Sequence, residues 1–452
     1  MNVIGNAIAP APLKPNSFYS PVHPTIRAYE LPEIVSLPME DLFPFLPKAI
    51  YQYGTDVSVV RAATMESLKK IDMSMIQPQH TVNILCSEHG FNVMGGEAYA
   101  EMIKTIRDVV LERTGCTHIR LRSAGGNMIS EGKSTFFDFG LLEYFEGKAE
   151  AFTPLEDGMY LDTDLGKIGV IKSAFDADWF IHTSYSDPRE IYFNRNISRV
   201  YKAFAMGYAR AETRSAFHLC FGPRSSNVIC HAIFNALKDR HAFTVDLDIS
   251  PTGITGVSAN NDIAVLNREA TVRVLKNYGA IYRLLSKIDE VIAIQDCSRW
   301  VWYNHCGGIV FGTLLKAHMD MLDLDVVPKI SEGINCRKLK SIVVNHTTMG
   351  AWGMLPIEFP IFIADQNTAA GQDGDLIIHS TICNGLQDAL NRAKEKTGCD
   401  KIMVFDGSFG YMNVSKSMAE HLLRCAPAAI EEADAVMPKW LKQRGIDPEC
   451  LS

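Results

Sequence analysis

The chain has 452 residues, of which 47% are hydrophobic and 21% charged, and its formal net charge is −8. That length suits two hydrophobic cores, and the composition excludes a disordered or fibrous chain. The acidic balance argues against general binding to nucleic acid or to an anionic membrane, and no apolar run approaches the roughly 20 residues of a membrane span.

Residues 1–47 carry nine prolines and no basic-then-apolar leader pattern, so they read as an extended arm without an export signal. Regular structure starts near His80. Residues 81–86 (TVNILC) read as a buried strand. Tyr99, Met102, Ile103, Ile106, Val109 and Val110 recur at helical spacing over 97–114, and Gly115 stops that helix. A second strand begins at 119–121, which makes a strand–helix–strand unit of the parallel-sheet kind. Residues 136–163 are mixed, with turns at Gly147 and Asp157-Gly158. Residues 178–181 are the next buried strand. A helix over 227–238, a strand over 243–247 and a hairpin marked by Gly253 and Gly256 follow. The long helical stretch 263–288 reads as a hinge. Beyond it, strands are expected at 291–294, 341–344, 376–378 and 402–405, with helices over 386–396 and 415–425.

The expected fold class is therefore α/β, with two lobes, each a mainly parallel sheet flanked by helices, and a ligand cleft between them. The expected divisions are an arm over 1–60, an N-terminal α/β domain over 61–275 and a C-terminal α/β domain over 276–452. The 11 cysteines are scattered, odd in number and lack a CxxC pair. They read as reduced thiols of a cytoplasmic protein rather than as disulfides or a zinc site.

No GxGxxG fingerprint, Walker A loop or GxSxG elbow is present. Three loops attract attention because ligands of open α/β sheets bind beyond the carboxyl ends of strands. Glu88 and His89, in the loop after the first strand, are candidates for acid, base or metal ligand, against a plain polar loop. Ser123-Ala124-Gly125-Gly126-Asn127 follows the second strand and allows close backbone approach. Arg189 and Tyr192 follow the strand that ends near His182, as a pocket wall or a surface loop. Arg224, Ser225 and Ser226 stand just before a helix, where free N–H groups suit a phosphate or carboxylate, or where a serine simply caps the helix. The aromatic run from Trp300 to Cys306 reads as core or cleft lining, and His346 and His379 read as satisfied buried histidines.

The order of these pieces resembles the lactate racemase family over roughly residues 65–430. Ser87-Glu88 stands where the family has a Ser-Asp loop. Ala124-Gly125-Gly126 matches its small-residue loop, and Asp176-Ala177-Asp178 its Ala-Asp strand. The sharpest match is Lys202, Gly207, Glu212-Thr213 and His218, where the histidine falls sixteen positions after the lysine. The strand and turn over 243–257, Asp373-Gly374-Asp375 and Cys383-Asn384-Gly385 are also similar to the family.

This resemblance implies a racemase or epimerase of a small 2-hydroxy acid, working by hydride transfer through a nickel-pincer nucleotide. Lys202 would carry that group covalently and His218 would ligate nickel. Arg224, Ser225 and Ser226 would hold an anionic part of it. The family's two acid–base histidines have Gly126 or Asn127 and Arg189 at their places here. His89 and Glu88, with Arg189 and Tyr192, are therefore the candidate catalytic residues. The implied partner is a small anionic hydroxy acid, with no nucleic acid and no membrane, and the proline-rich arm suggests a homo-oligomer. Two other readings stand beside it: a cofactor-free binding or regulatory protein on the same scaffold, and a metal-independent lyase or isomerase that uses Lys202 directly.

Overall fold

The computed structural model describes residues 4–11, 25–125, 129–186, 198–220, 227–297, 320, 322–326, 338–346, 359–372 and 377–451. The chain divides into two compact units. One, the terminal unit, combines Met1–Pro47 with Leu275–Ser452; the other, the central unit, is Lys48–Val274. Each is an α/β unit whose sheet is mainly parallel and flanked by helices.

The arm supplies two short strands of the terminal unit, β1 (Gly5–Asn6) and β2 (Ile34–Pro38). The central unit then holds β3 (Thr81–Ser87), β4 (His118–Ala124), β5 (Ala149–Phe152), β6 (Gly158–Thr163), β7 (Gly166–Ile171), β8 (Trp179–Tyr185), β9 (His241–Ser250) and β10 (Gly253–Asn260). Its sheet runs β10-β9-β8-β3-β4-β5, and β6 and β7 form a separate hairpin. All pairs of the sheet are parallel except β9 with β10. The inner strands are covered on both faces, which is why β3 reads as an almost continuous apolar run. The helix Glu97–Thr114 between β3 and β4 buries the apolar stripe read from its spacing. Gly115 ends it in the left-handed conformation, with its N–H on the Leu111 carbonyl.

The terminal unit continues with β11 (Val291–Gln295), β12 (Leu339–Val344), β13 (Ile361–Ile363), β14 (Ser380–Ile382), β15 (Ile402–Phe405) and β16 (Tyr411–Ser415). The order is β1-β2-β16-β15-β11-β12-β13-β14, parallel from β15 to β14 and antiparallel beyond. Ile292, Ile294, Val343, Phe362, Ile402 and Val404 pack one face of this sheet against the helix Leu386–Thr397.

Three expectations are corrected. The arm is not merely extended, because Ser36 and Leu37 sit buried in the ladder opposite Asn413 and Met412. The strand expected at 376–378 lies instead at Ser380–Ile382; Ile377 and Ile378 are in a helical turn, and Ile378 is exposed. The helix expected to stop at Cys425 runs from Lys416 to Lys442 through Pro427 and Pro438. Burial of Ala426, Ala429, Ala433, Met437 and Trp440 along one side offsets the proline penalty. Cys86, Cys116, Cys230, Cys297, Cys383, Cys399 and Cys425 form no disulfide, and among the described residues no helix is long and apolar enough to cross a membrane.

Candidate functional site

In the central unit the chain leaves β3 toward β4 and β5, then returns to place β8 on the other side of β3. Such a reversal of strand order, at the carboxyl ends of β3 and β8, is the place where open α/β sheets form a ligand-binding crevice. Two loops rise from it. After β3, the short helical turn Glu88–Asn92 is capped by Ser87, whose hydroxyl accepts from the His89 N–H at 3.4 Å. Gly90 lies against the Tyr99 ring so closely that a β-carbon there would overlap it. Tyr99 is fixed in turn by Thr183 of β8, with 2.7 Å between hydroxyl oxygens. His89 is half-buried; the Glu88 side chain lies outside the described residues.

After β8, Arg199 folds back onto the strand end, donates to the Tyr185 carbonyl, and lies 4.7 Å from the centre of the Tyr185 ring. The short helix Lys202–Ala205 follows, with half-buried Lys202 at its start. Phe204 of this helix packs on Phe175, Phe180 and Phe234. Gly207 then touches down on the carboxyl end of β4. A β-carbon on it would stand 3.3 Å from the Ala124 methyl, tight enough that one of the two must give by a few tenths of an ångström. The Arg214 guanidinium clamps this turn by donating to the Gly207 carbonyl at 3.0 Å. Thr213 donates to the Gly169 carbonyl of β7 at 2.7 Å, and Glu212 pairs with Arg210 at 2.8 Å. The glycine and the Glu-Thr pair of the motif thus have scaffold roles: they hold their segment against the end of β4 and against β7. His218 lies in the helix Ala211–Cys220, and its side chain is outside the described residues.

His182 does not reach the crevice. It is fully buried in β8, with Nε2 donating to the Val200 carbonyl at 2.9 Å and Nδ1 accepting from the Tyr208 hydroxyl at 2.8 Å. Burial pushes it down to about 3, so it stays a neutral structural imidazole. Arg189, Tyr192, Arg224, Ser225 and Ser226 lie outside the described residues, as do Gly126, Asn127, the 300–306 aromatic run and the 373–375 loop. His346 is buried as expected, whereas His379 is exposed.

One constellation went unread in the sequence. Every residue of β9 is buried, yet Thr244, Asp246 and Asp248 alternate with Phe243, Val245 and Leu247. Arg273 of the helix Ile263–Ser286 bridges the two carboxylates, 3.1 Å from Asp246 Oδ2 and 2.5 Å from Asp248 Oδ1. Ser186, just past β8, donates to Asp246 at 2.6 Å, and Ser258 of β10 donates to Asp248 at 2.8 Å. Burial, more than the neighbouring Asp246, pushes Asp248 up to about 6 despite Arg273. The legible signal was polar residues at period two inside an otherwise buried strand.

No known family's sequence model matches the chain, and no curated protein matches it.

Proposed function

We propose that the protein is an enzyme that changes the configuration of a small 2-hydroxy acid, a racemase or epimerase, with a nickel-pincer nucleotide tethered to Lys202. The observation that supports this reading is the contact of Gly207 with Ala124 at the carboxyl end of β4, within the segment that carries Lys202 and His218. Among the described residues no three His, Cys, Asp or Glu side chains gather into a metal group. A pincer group brings most of its own soft donors and takes a single imidazole from the protein, in this reading that of His218. When bound, such a group supplies the acceptor for the hydrogen at C2 of the substrate. The chain holds the group at Lys202, keeps the edge in register through Gly207 and Thr213, and offers His89 beside the crevice for proton transfer.

The test is intact mass together with metal analysis of protein purified from its native host. Added mass on Lys202 and about one nickel per chain are expected, and Lys202→Ala should lack both. Folded protein with an unmodified Lys202 and no nickel overturns the reading.

A cofactor-free binding protein is the second reading. It is favoured by the scaffold roles of Gly207, Glu212 and Thr213, which account for most of the motif without any ligand. It predicts unchanged ligand affinity in the Lys202→Ala, His218→Ala double variant.

A further inference from the structure

The Asp246–Arg273–Asp248 constellation is layered. Asp246 and Ser186 form a sealed floor, with the Asp246 side chain 0% exposed. Asp248 and Arg273 form the roof, with side chains 12% and 27% exposed. Three buried atoms of this cluster lack a hydrogen-bond partner among the described residues, Asp246 Oδ1, Asp248 Oδ1 and Arg273 Nε, although Asp248 Oδ1 stands 2.5 Å from the Arg273 guanidinium. A buried guanidinium N–H without an acceptor is destabilising, because it has given up water and gained no partner. A ligand that brings an acceptor to Arg273 removes that cost.

We propose that Arg273 and Asp248 form the recognition site for the 2-hydroxy acid: Arg273 receives the carboxylate, and the protonated carboxyl of Asp248 donates a hydrogen bond to the hydroxyl oxygen. This rests on the substrate class proposed above. The charges explain why a proton belongs in the site. Asp246, Asp248 and Arg273 together carry one net negative charge when both acids are ionised, and Glu269 adds to the field at Asp248. A second anion beside an ionised Asp248 is repelled, whereas beside the neutral acid it faces a balanced Asp246–Arg273 pair. Asp248 is held up to about 6 by burial, so the proton is within reach at mildly acidic pH. Binding is accordingly coupled to proton uptake, tighter below about pH 6 and weaker above.

The experiment is calorimetric titration of the full chain with D-lactate and L-lactate at pH 5.5 and 7.5, with propionate as the probe that lacks the hydroxyl. The wild type should bind lactate more than tenfold more tightly at pH 5.5, the consequence of one proton taken up by a group that titrates at about 6. Propionate should bind more weakly than lactate. Asp248→Asn should lose the pH dependence, and Arg273→Gln should weaken binding about tenfold or more. Ser258→Ala, which leaves both charges in place, serves if Arg273→Gln does not fold, and should shift the pH dependence through Asp248. Lactate binding that is absent in the wild type, or equal in wild type and Asp248→Asn at both pH values, overturns the proposal. A missing mass or nickel signal fails the cofactor reading alone, and missing lactate binding fails this proposal alone.

Discussion

The guanidinium of Arg27 grips the carboxylate of Asp296: Nε lies 3.0 Å from both carboxylate oxygens, and Nη2 donates to the Asp296 carbonyl at 2.6 Å. Asp296 follows β11 at the carboxyl edge of the terminal unit, with Asp406 after the neighbouring β15. It is fully buried, and the Ala28 N–H and the Asn345 amide complete its shell at 2.8 Å each. Burial holds its carboxyl up at about 6 even so, and Asp406 pushes the same way.

Removing the cation should expose how much it offsets. Arg27→Met leaves a buried carboxylate uncompensated, which costs about 3–5 kcal/mol. The loss should be largest above pH 6. In acid, the native state takes up a proton at Asp296 that the unfolded chain releases, so stability recovers as pH falls. Urea unfolding at pH 5 and pH 8 measures this, and Arg27→Met with Asp296→Asn should regain most of the loss at pH 8. Equal losses at both pH values would count against the ion pair as the cause.

His182 makes the opposite prediction. Its folded value, about 3, lies below its ordinary one, so the unfolded state binds the proton first as pH falls. Its stabilising contribution is complete above about pH 6.5 and is lost progressively toward pH 3. His182→Phe should be less stable than wild type at pH 7.5, by about 1–3 kcal/mol, because the Tyr208 hydroxyl and Val200 carbonyl lose their partner. Its stability should also fall less steeply between pH 6.5 and 4. An acid limb as steep as that of the wild type in equilibrium unfolding would remove His182 as its source.

Gly207 tests the packing that places the proposed tether. Gly207→Val forces a side chain against the Ala124 methyl and should cost about 1–3 kcal/mol. Adding Ala124→Gly should recover part of that cost by opening the space opposite. Thermal unfolding reads both variants, and additive losses would show that the two positions do not touch.

Gly90 tests the other wall of the crevice. Gly90→Ala drives a methyl into the Tyr99 ring, and the turn must shift away from it. A stability loss of about 1–3 kcal/mol is expected, with a chemical-shift change at His89. Tyr99→Leu should relieve the overlap although it removes the bond to Thr183. An unperturbed His89 resonance in Gly90→Ala would contradict this placement.

The parallel strands were the most legible part of the fold. β3, β8, β11 and β15 are short apolar runs because both of their faces are covered, and that pattern survives without knowledge of their neighbours. β14 was misplaced because Ile377 and Ile378 carry the stronger β signal while Ser380 and Thr381 form the ladder with β13. The pairing was decided by register, which local propensity does not encode. The helix through Pro427 was cut short for a similar reason: its length depends on what its apolar side buries.

For the site, the sequence by itself determined which loops stand at strand ends and that Lys202, Gly207, Glu212, Thr213 and His218 share one segment between β8 and β9. What those residues do was decided by tertiary structure. Gly207 is small because Ala124 is opposite it, and Thr213 is spent on the Gly169 carbonyl. His182 is sealed between Tyr208 and Val200. Asp246 and Asp248 of one strand meet Arg273 of a helix up to 27 residues away in sequence. A carboxylate's protonation depends on burial and on which charge stands beside it. Both are properties of the packed structure, and neither is carried by local sequence.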